Sequence, residues 1–329
     1  MSSHPYELLT PDVVLDALSS VGLHGDGRLL GLSSYENRVY QIQLEDAYEG
    51  NDSVVAKFYR PGRWSDAQIL EEHGFAAELM AAEIPAVGPL VLDGRTLHHH
   101  AGFGFSVSPR KGGRRPELDD FEVLEWIGRF LARIHTVGAR SAFAVRPALD
   151  VQTFAIEPRD WLLAHDGIPL DVQGAWVKRC DEAIAMISAL LEANPARRIR
   201  LHGDCHPGNI LWTPDQGPHF VDLDDACTGP AVQDLWMLLS GERRDQTGQL
   251  SALLDGYEQF REFDRRELAL IEPLRTLRMI HYSAWLARRW DDPAFPPTFP
   301  WFGSSDYWQG QVQMLEEQLE AMAGPPLSA

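Results

Sequence analysis

Cysteine is scarce in this chain. Cys180, Cys205 and Cys227 are the whole complement of 329 residues, an odd and sparse set that excludes a disulfide framework and points to a reducing compartment. Positive charge is short too, with 29 Lys and Arg against 48 Asp and Glu and a net charge of -19. A surplus of that sign repels phosphate backbones, so nucleic acid is not an expected partner. Acidity by itself serves solubility before substrate choice. No uninterrupted apolar run is long enough to span a bilayer, and the opening residues Met1-Ser-Ser-His-Pro-Tyr-Glu lack the basic stretch and apolar core of a secretion signal. A cytoplasmic protein without a membrane partner is expected, and a monomer, since nothing in the sequence forces a dimer. What is not short is core-forming material. The hydrophobic share of 44% is that of an ordinary globular protein, and the length suffices for two lobes.

The first of these lobes reads as a small sheet with one main helix. Arg38 to Leu44 alternates with a period of two, and Ser53 to Tyr59 is a second strand, joined to the first by a polar stretch containing Gly50. Ser65 is placed to cap a helix running to Glu83, with Ile69, Phe75, Ala76, Leu79 and Met80 on its buried face. Pro85, Gly88 and Pro89 stop it. Residues 89–97 and 103–108 suggest another strand pair. A basic, glycine-bearing break follows at Pro109 to Pro116, which sets the division at 1–107 and 108–329. Helices dominate beyond it: 119–137, with Phe121, Leu124, Ile127, Phe130, Leu131 and Ile134 at three-to-four spacing, then 176–193, 232–239 and 267–290, where Pro273 threatens a break. The class is therefore α+β, with a small antiparallel-sheet lobe and a larger, mainly helical one.

Residues 202–224 carry the chemistry. His202-Gly-Asp-Cys-His-Pro-Gly-Asn209 cannot be helical, because Pro207 and Gly208 interrupt it. It leads into the apolar strand Ile210-Leu-Trp212, and after a turn at Pro214 to Pro218 the chain returns along His219 to Leu223. Such a hairpin brings Asn209 and Asp222 to one end. An amide and a carboxylate there suit magnesium, which keeps several waters and takes few protein ligands. Asp204, at the entrance of the loop, is positioned to orient a hydroxyl or accept its proton. Phosphoryl transfer from ATP needs this set. A soft-metal site of His202, Cys205 and His206 is the competing possibility, but it lacks a nearby fourth ligand and leaves the three oxygen donors unexplained.

The spacing His-Gly-Asp-x-x-x-x-Asn, with a later Asp222, resembles the catalytic-loop and metal-carboxylate signatures of the aminoglycoside phosphotransferase and choline kinase superfamily. That resemblance implies a bilobal protein-kinase-like fold, a strand lysine and a helix glutamate in the first lobe. Lys57, mid-strand in Val54-Val-Ala-Lys-Phe58, and Glu72, preferred over Glu71 and Glu78, fill those places. Their ion pair is expected to steer Lys57 onto the ATP phosphates. No Gly-x-Gly-x-x-Gly precedes Lys57. Instead Gly31 to Tyr40 supplies a short polar loop in which Ser34 and the following amides are the candidate phosphate contacts. Asp234 is expected to brace the catalytic loop. No Ala-Pro-Glu follows Asp222, so control by activation-loop phosphorylation is not expected.

The resemblance narrows further. Ser34 to Tyr40, Lys57-Phe-Tyr-Arg-Pro61, Gln68 to His73, Leu201 to His206, Val221 to Ala226 and Arg288 to Phe295 are similar to the bacterial stress response kinase A family along nearly the whole chain. Membership implies a cytoplasmic, magnesium-dependent serine/threonine protein kinase tied to envelope and oxidative stress and to survival. ATP would be its co-substrate, protein hydroxyls its acceptors, and itself one of them. The alternative within the superfamily is a small-molecule kinase for amino alcohols or amino sugars, with Trp290, Trp301, Asp291 and Asp292 as an aromatic, anionic pocket. A catalytically dead scaffold is disfavoured, since Lys57, Asp204, Asn209 and Asp222 are all present.

Overall fold

Val54, Ala56 and Phe58 are fully buried and alternate with residues that are not, as a strand does when one face lies on a core. The computed structural model, which describes residues 4–328, places them in a five-stranded sheet. Its strands are β1 (Gly25–Leu32), β2 (Arg38–Tyr48), β3 (Asn51–Phe58), β4 (His98–His100) and β5 (Phe103–Pro109), in the order β1-β2-β3-β5-β4. All neighbours are antiparallel. Helix α1 (Pro11–Ser19) seals the apolar face, with Val14, Ala17 and Leu18 joining Ile42, Val54, Ala56, Phe58 and Phe105 in one core. The period of two then sends Lys57 to the opposite face.

Helix α2 (Asp66–Ala81) starts where expected. Ser65 Oγ accepts from the Gln68 amide, and the Gln68 side chain accepts from the Ser65 amide at 3.0 Å, a reciprocal cap. Ile69, Phe75, Ala76 and Leu79 are buried, but Met80, in the last turn, is half exposed, while the polar Glu72 and His73 are inside. The strand expected over 89–97 does not form. Pro89 has no N–H to give a ladder, and Asp93 and Gly94, both at positive φ, close a Leu92–Arg95 turn.

The rest of the chain is mainly helical, as expected. It contains α3 (Phe121–Gly138), α4 (Glu157–Ala164), α5 (Leu170–Ala193), β6 (Arg198–Leu201), β7 (Ile210–Thr213), β8 (Gly217–Phe220), β9 (Cys227–Pro230), α6 (Val232–Trp236), α7 (Arg243–Tyr257), α8 (Ile271–Arg288), α9 (Phe295–Thr298) and α10 (Ser305–Ala323). Pro273 does not break α8, because a 3-10 turn over 265–270 precedes the helix and leaves the proline in its first turn, where no amide bond is lost. Phe121 sits at the very start of α3, just after the Asp120 cap, and is exposed rather than buried. Among the described residues no helix is long and apolar enough to cross a membrane.

Two compact units emerge. The first comprises the chain up to Pro116 together with 143–146 and 206–226; the second comprises 117–142, 147–205 and the chain from 227 onward. This differs from the division expected at 107/108. The reason is backbone pairing. Phe220 of β8 exchanges hydrogen bonds with Pro85 and Val87 (2.8 and 2.9 Å), and Trp212 of β7 does so with Arg114 (2.7 and 3.0 Å). The β7–β8 hairpin is thereby stitched to the sheet-bearing unit although it comes more than halfway along the chain.

Candidate active site

The first unit assembles a charged cluster around the hairpin's open end. Ile210 pairs with Phe220, and one step outward the Val221 amide donates to the Asn209 carbonyl at 3.0 Å, so Asn209 and Asp222 flank the same end. Asp222 has left-handed backbone angles, φ 58 and ψ 61, a conformation that costs a non-glycine residue energy and often marks function. Its carboxylate Oδ1 lies 2.6 Å from Lys57 Nζ. Asp224, two residues on, is 3.9 Å from the same ammonium. Burial alone would push the Lys57 ammonium down, but Asp222 and Asp224 outweigh it and hold it well above its ordinary value.

The three neighbouring carboxylates are thereby told apart. Asp224 is nearly enclosed. It is bonded by Arg63 and takes a 3.2 Å bond from Asn37 Nδ2. Burial would raise its carboxyl, yet Arg63, Lys57 and Arg146 hold it down to about 2. Asp225 and Glu36 are further partners of Arg63. Asp222 keeps 43% of its side chain exposed and Asp225 47%, so Asp224 is the enclosed member of the trio, and of the two open ones Asp222 is the one in contact with Lys57. Arg146 completes the frame by donating to the backbone carbonyls of Asp224 and Ala226, the latter at 2.8 Å, while Glu71 fixes the 144–146 segment by accepting three amides.

Glu72 faces this cluster from α2 but is not in ion-pair contact with Lys57, which among the described residues pairs with Asp222 and Asp224. Burial pushes the Glu72 carboxyl up to about 7, with the Lys57 charge opposing. Beside it His73, lowered by burial to about 4, bonds Tyr59 Oη (2.8 Å) and Thr96 (2.8 Å), and Tyr59 bonds Ser106 (3.0 Å). Ser34 lies half-buried in the β1–β2 loop, whose ties to the cluster run through Glu36, paired with Arg63, and through Asn37. That residue also accepts from the Arg60 amide at 3.2 Å. Asn37, Arg63 and Arg146 were not singled out from sequence. Isolated polar residues in loops carry no spacing that marks them.

Asp204 belongs to the second unit, since the division falls between Cys205 and His206. Strand β6 delivers the chain to it, paired with β9 from Arg198↔Pro230 to Leu201↔Cys227. Gly138 of α3 permits that arrangement, because a Cβ there would collide with the Arg200 carbonyl. The loop is then braced from below by Asp234, which is fully buried and accepts from the His202 and Gly203 amides at 2.9 Å each. Gly203, at φ 86, takes a backbone turn that side chains resist. His135 donates its Nε2 proton to Asp234 at 3.0 Å, and Gln233 donates to the Gly203 carbonyl at 3.1 Å. The Asp204 carboxylate meets Arg278 Nη1 of α8 at 2.7 Å. The soft-metal alternative finds no support. Cys205 is buried with its thiol pushed well up, His206 spends Nδ1 on the Gly208 amide, and no acidic, histidine or cysteine trio among the described residues could hold a metal.

A model of the phosphotransferase enzyme family matches residues 28–271. Stress response kinase A of Escherichia coli is 47% identical over 326 residues, covering 99% of this chain and 97% of that relative. A protein of Salmonella typhimurium named serine/threonine protein kinase RdoA is 45% identical over 322 residues, covering 98% and 96%. Among solved structures, an amicoumacin kinase in complex with AMP-PNP, Ca2+ and Ami superposes with a TM-score of 0.69 at 20% identity, covering 96% of this chain and 94% of that one; at that identity the likeness is one of fold. Near-half identity along almost the full length of both chains makes this protein a kinase of the phosphotransferase enzyme family and, within it, a member of the stress response kinase A family.

Proposed function

We propose that the chain transfers the γ-phosphate of ATP to serine and threonine hydroxyls of proteins, its own among them, as a cytoplasmic magnesium-dependent kinase acting in the response to envelope and oxidative stress. The observation that carries the transfer chemistry is the contact between Lys57 and Asp222 at the end of a hairpin that also presents Asn209. A strand lysine with a paired carboxylate and an amide is the apparatus for gathering triphosphate oxygens.

The donors fit magnesium. Asn209 and Asp222 are hard oxygen ligands, too few to cage the ion and so compatible with one that keeps its waters; Asp224, clamped by Arg63 and Asn37, is less free to serve. When bound, the ion supplies charge neutralisation on the phosphates. The chain's own residues do the rest. Lys57 holds phosphate oxygens, the amides following Ser34 approach the nucleotide, and Glu72 keeps the Lys57 side chain directed once Asp222 has another cation to serve. Asp204, kept in place by the Asp234 brace, orients the acceptor hydroxyl and takes its proton.

A protein acceptor is supported by the name of the Salmonella relative and by the fate of the alternative pocket. Asp292 is buried and accepts from the Ala294 amide at 3.1 Å, Trp290 packs on Phe302 at 4.9 Å and Trp301 on Tyr307 at 5.3 Å. Asp292 and Trp290 thus pack their own loop, whereas Asp291 and Trp301 stay exposed. The test is transfer of label from γ-labelled ATP to a panel of proteins, to choline and to an aminoglycoside. Label on protein serine and threonine supports the assignment, and label confined to the small molecules sinks it.

A further inference from the structure

We propose that Arg278 is a specificity-determining residue of the acceptor site, selecting serine and threonine hydroxyls flanked by acidic residues and rejecting acceptors that carry a cation beside the hydroxyl. The proposal rests on the assignment of Asp204 as the acceptor carboxylate.

Three observations carry it. Arg278 is in contact with the group that receives the acceptor, its Nη1 lying 2.7 Å from Asp204 Oδ1. Its side chain is 41% exposed whereas that of Asp204 is 19% exposed, so Arg278 is the more solvent-accessible member of the pair. Its position is also fixed. Leu274, one turn before it, and Leu277, Ile280 and Ala284 are buried along α8, and the helix cannot turn to withdraw the arginine without exposing them.

A cation approaching Asp204 therefore meets a like charge first. Kinases for amino sugars and amino alcohols face the reverse need, a concentration of negative charge around an ammonium. In this chain one carboxylate of the acidic, aromatic stretch that follows α8, that of Asp292, is buried in its own turn. An acidic side chain next to a serine instead gains a guanidinium partner, with the fork geometry arginine offers a carboxylate. A like-charge contact replaced by an opposite-charge contact at partial exposure changes the specificity constant by about tenfold or more.

The experiment compares two serine peptides of equal length, one with Asp and Glu flanking the serine and one with Lys at those places. Wild type and the variants Arg278→Lys, Arg278→Gln, Arg278→Glu and Asp204→Asn are assayed on both, together with choline and an aminoglycoside. The readout is the ratio of kcat/KM between the peptides, which a loss of folded enzyme leaves unmoved. Wild type should favour the acidic peptide by about tenfold, Arg278→Lys should keep the direction of that preference at reduced size, Arg278→Gln should shrink it to within about threefold, and Arg278→Glu should invert it. A wild type without preference, or a ratio that Arg278→Gln and Arg278→Glu leave unchanged while Asp204→Asn is inactive, overturns the role of Arg278 alone. An Asp204→Asn variant as active as wild type overturns the assignment of Asp204, and the proposal with it. So does a wild type that labels choline or the aminoglycoside and neither peptide.

Discussion

A largely enclosed lysine needs a counter-charge, and Lys57, with 18% of its side chain exposed, has two, Asp222 at 2.6 Å and Asp224 at 3.9 Å. The pair is also what makes separate roles measurable. Lys57→Ala should weaken nucleotide binding and turnover together, while Asp204→Asn should lower kcat by about a hundredfold or more with nucleotide affinity unchanged; titrated nucleotide binding beside steady-state kinetics checks both. Glu72 supplies a pH signature. Its carboxyl is raised by burial from the ordinary range to about 7, so the folded state disfavours the ionised form. The unfolded chain releases that proton first as pH rises, and Glu72 therefore costs stability progressively between about pH 4.5 and 7, by up to ~3 kcal/mol. Below that window the cost is absent. Glu72→Gln should flatten that part of the stability profile, measured by denaturant unfolding across the window; an unchanged slope would contradict the buried assignment.

At the scale of elements, the β7–β8 hairpin and the loop that precedes it were the most legible part of the sequence. Pro207, Gly208 and the Pro214–Pro218 turn leave few ways to run the chain, and the pairing Ile210↔Phe220 puts Asn209 and Asp222 at one end as expected. The brace beneath the catalytic loop was legible only through resemblance, since a single Asp234 at the start of a short helix says nothing of which amides it accepts. Asp234→Ala would strand the His202 and Gly203 amides and the His135 proton in a fully buried site. It should cost about 3 kcal/mol or more and reduce kcat in whatever fraction still folds, read by thermal unfolding and single-turnover kinetics. The strand assigned to 89–97 and the burial assigned to Met80 and Phe121 failed for a shared reason. Apolar character was legible, but a turn at Asp93-Gly94 and positions in the first and last turns of helices decide exposure locally.

For the whole molecule, composition sets the expectation of no disulfides, no membrane span and no nucleic acid, but leaves the partners of each charge undetermined. Long-range pairs such as Arg63 with Asp224 and Arg278 with Asp204 join residues far apart in sequence, and nothing in their spacing announces them. The same holds for the unit division, where hairpin residues 206–226 join the sheet-bearing unit through backbone bonds to Pro85, Val87 and Arg114. At this scale the metal requirement is testable. Chelation with EDTA should abolish phosphoryl transfer and added magnesium restore it, without a change in secondary structure by circular dichroism, because the two proposed oxygen ligands sit on a preformed hairpin and would not be holding the fold.

The central claim is that Asp204 directs the γ-phosphate of ATP onto protein hydroxyls. Its most direct measurement incubates γ-labelled ATP and magnesium with a lysate from cells lacking this kinase, adding wild type or Asp204→Asn, and identifies the labelled amino acids. Labelled phosphoserine and phosphothreonine with wild type, and at least about a hundredfold less with the variant, is the predicted result. Equal labelling by both enzymes, or label found only on small molecules, would contradict it.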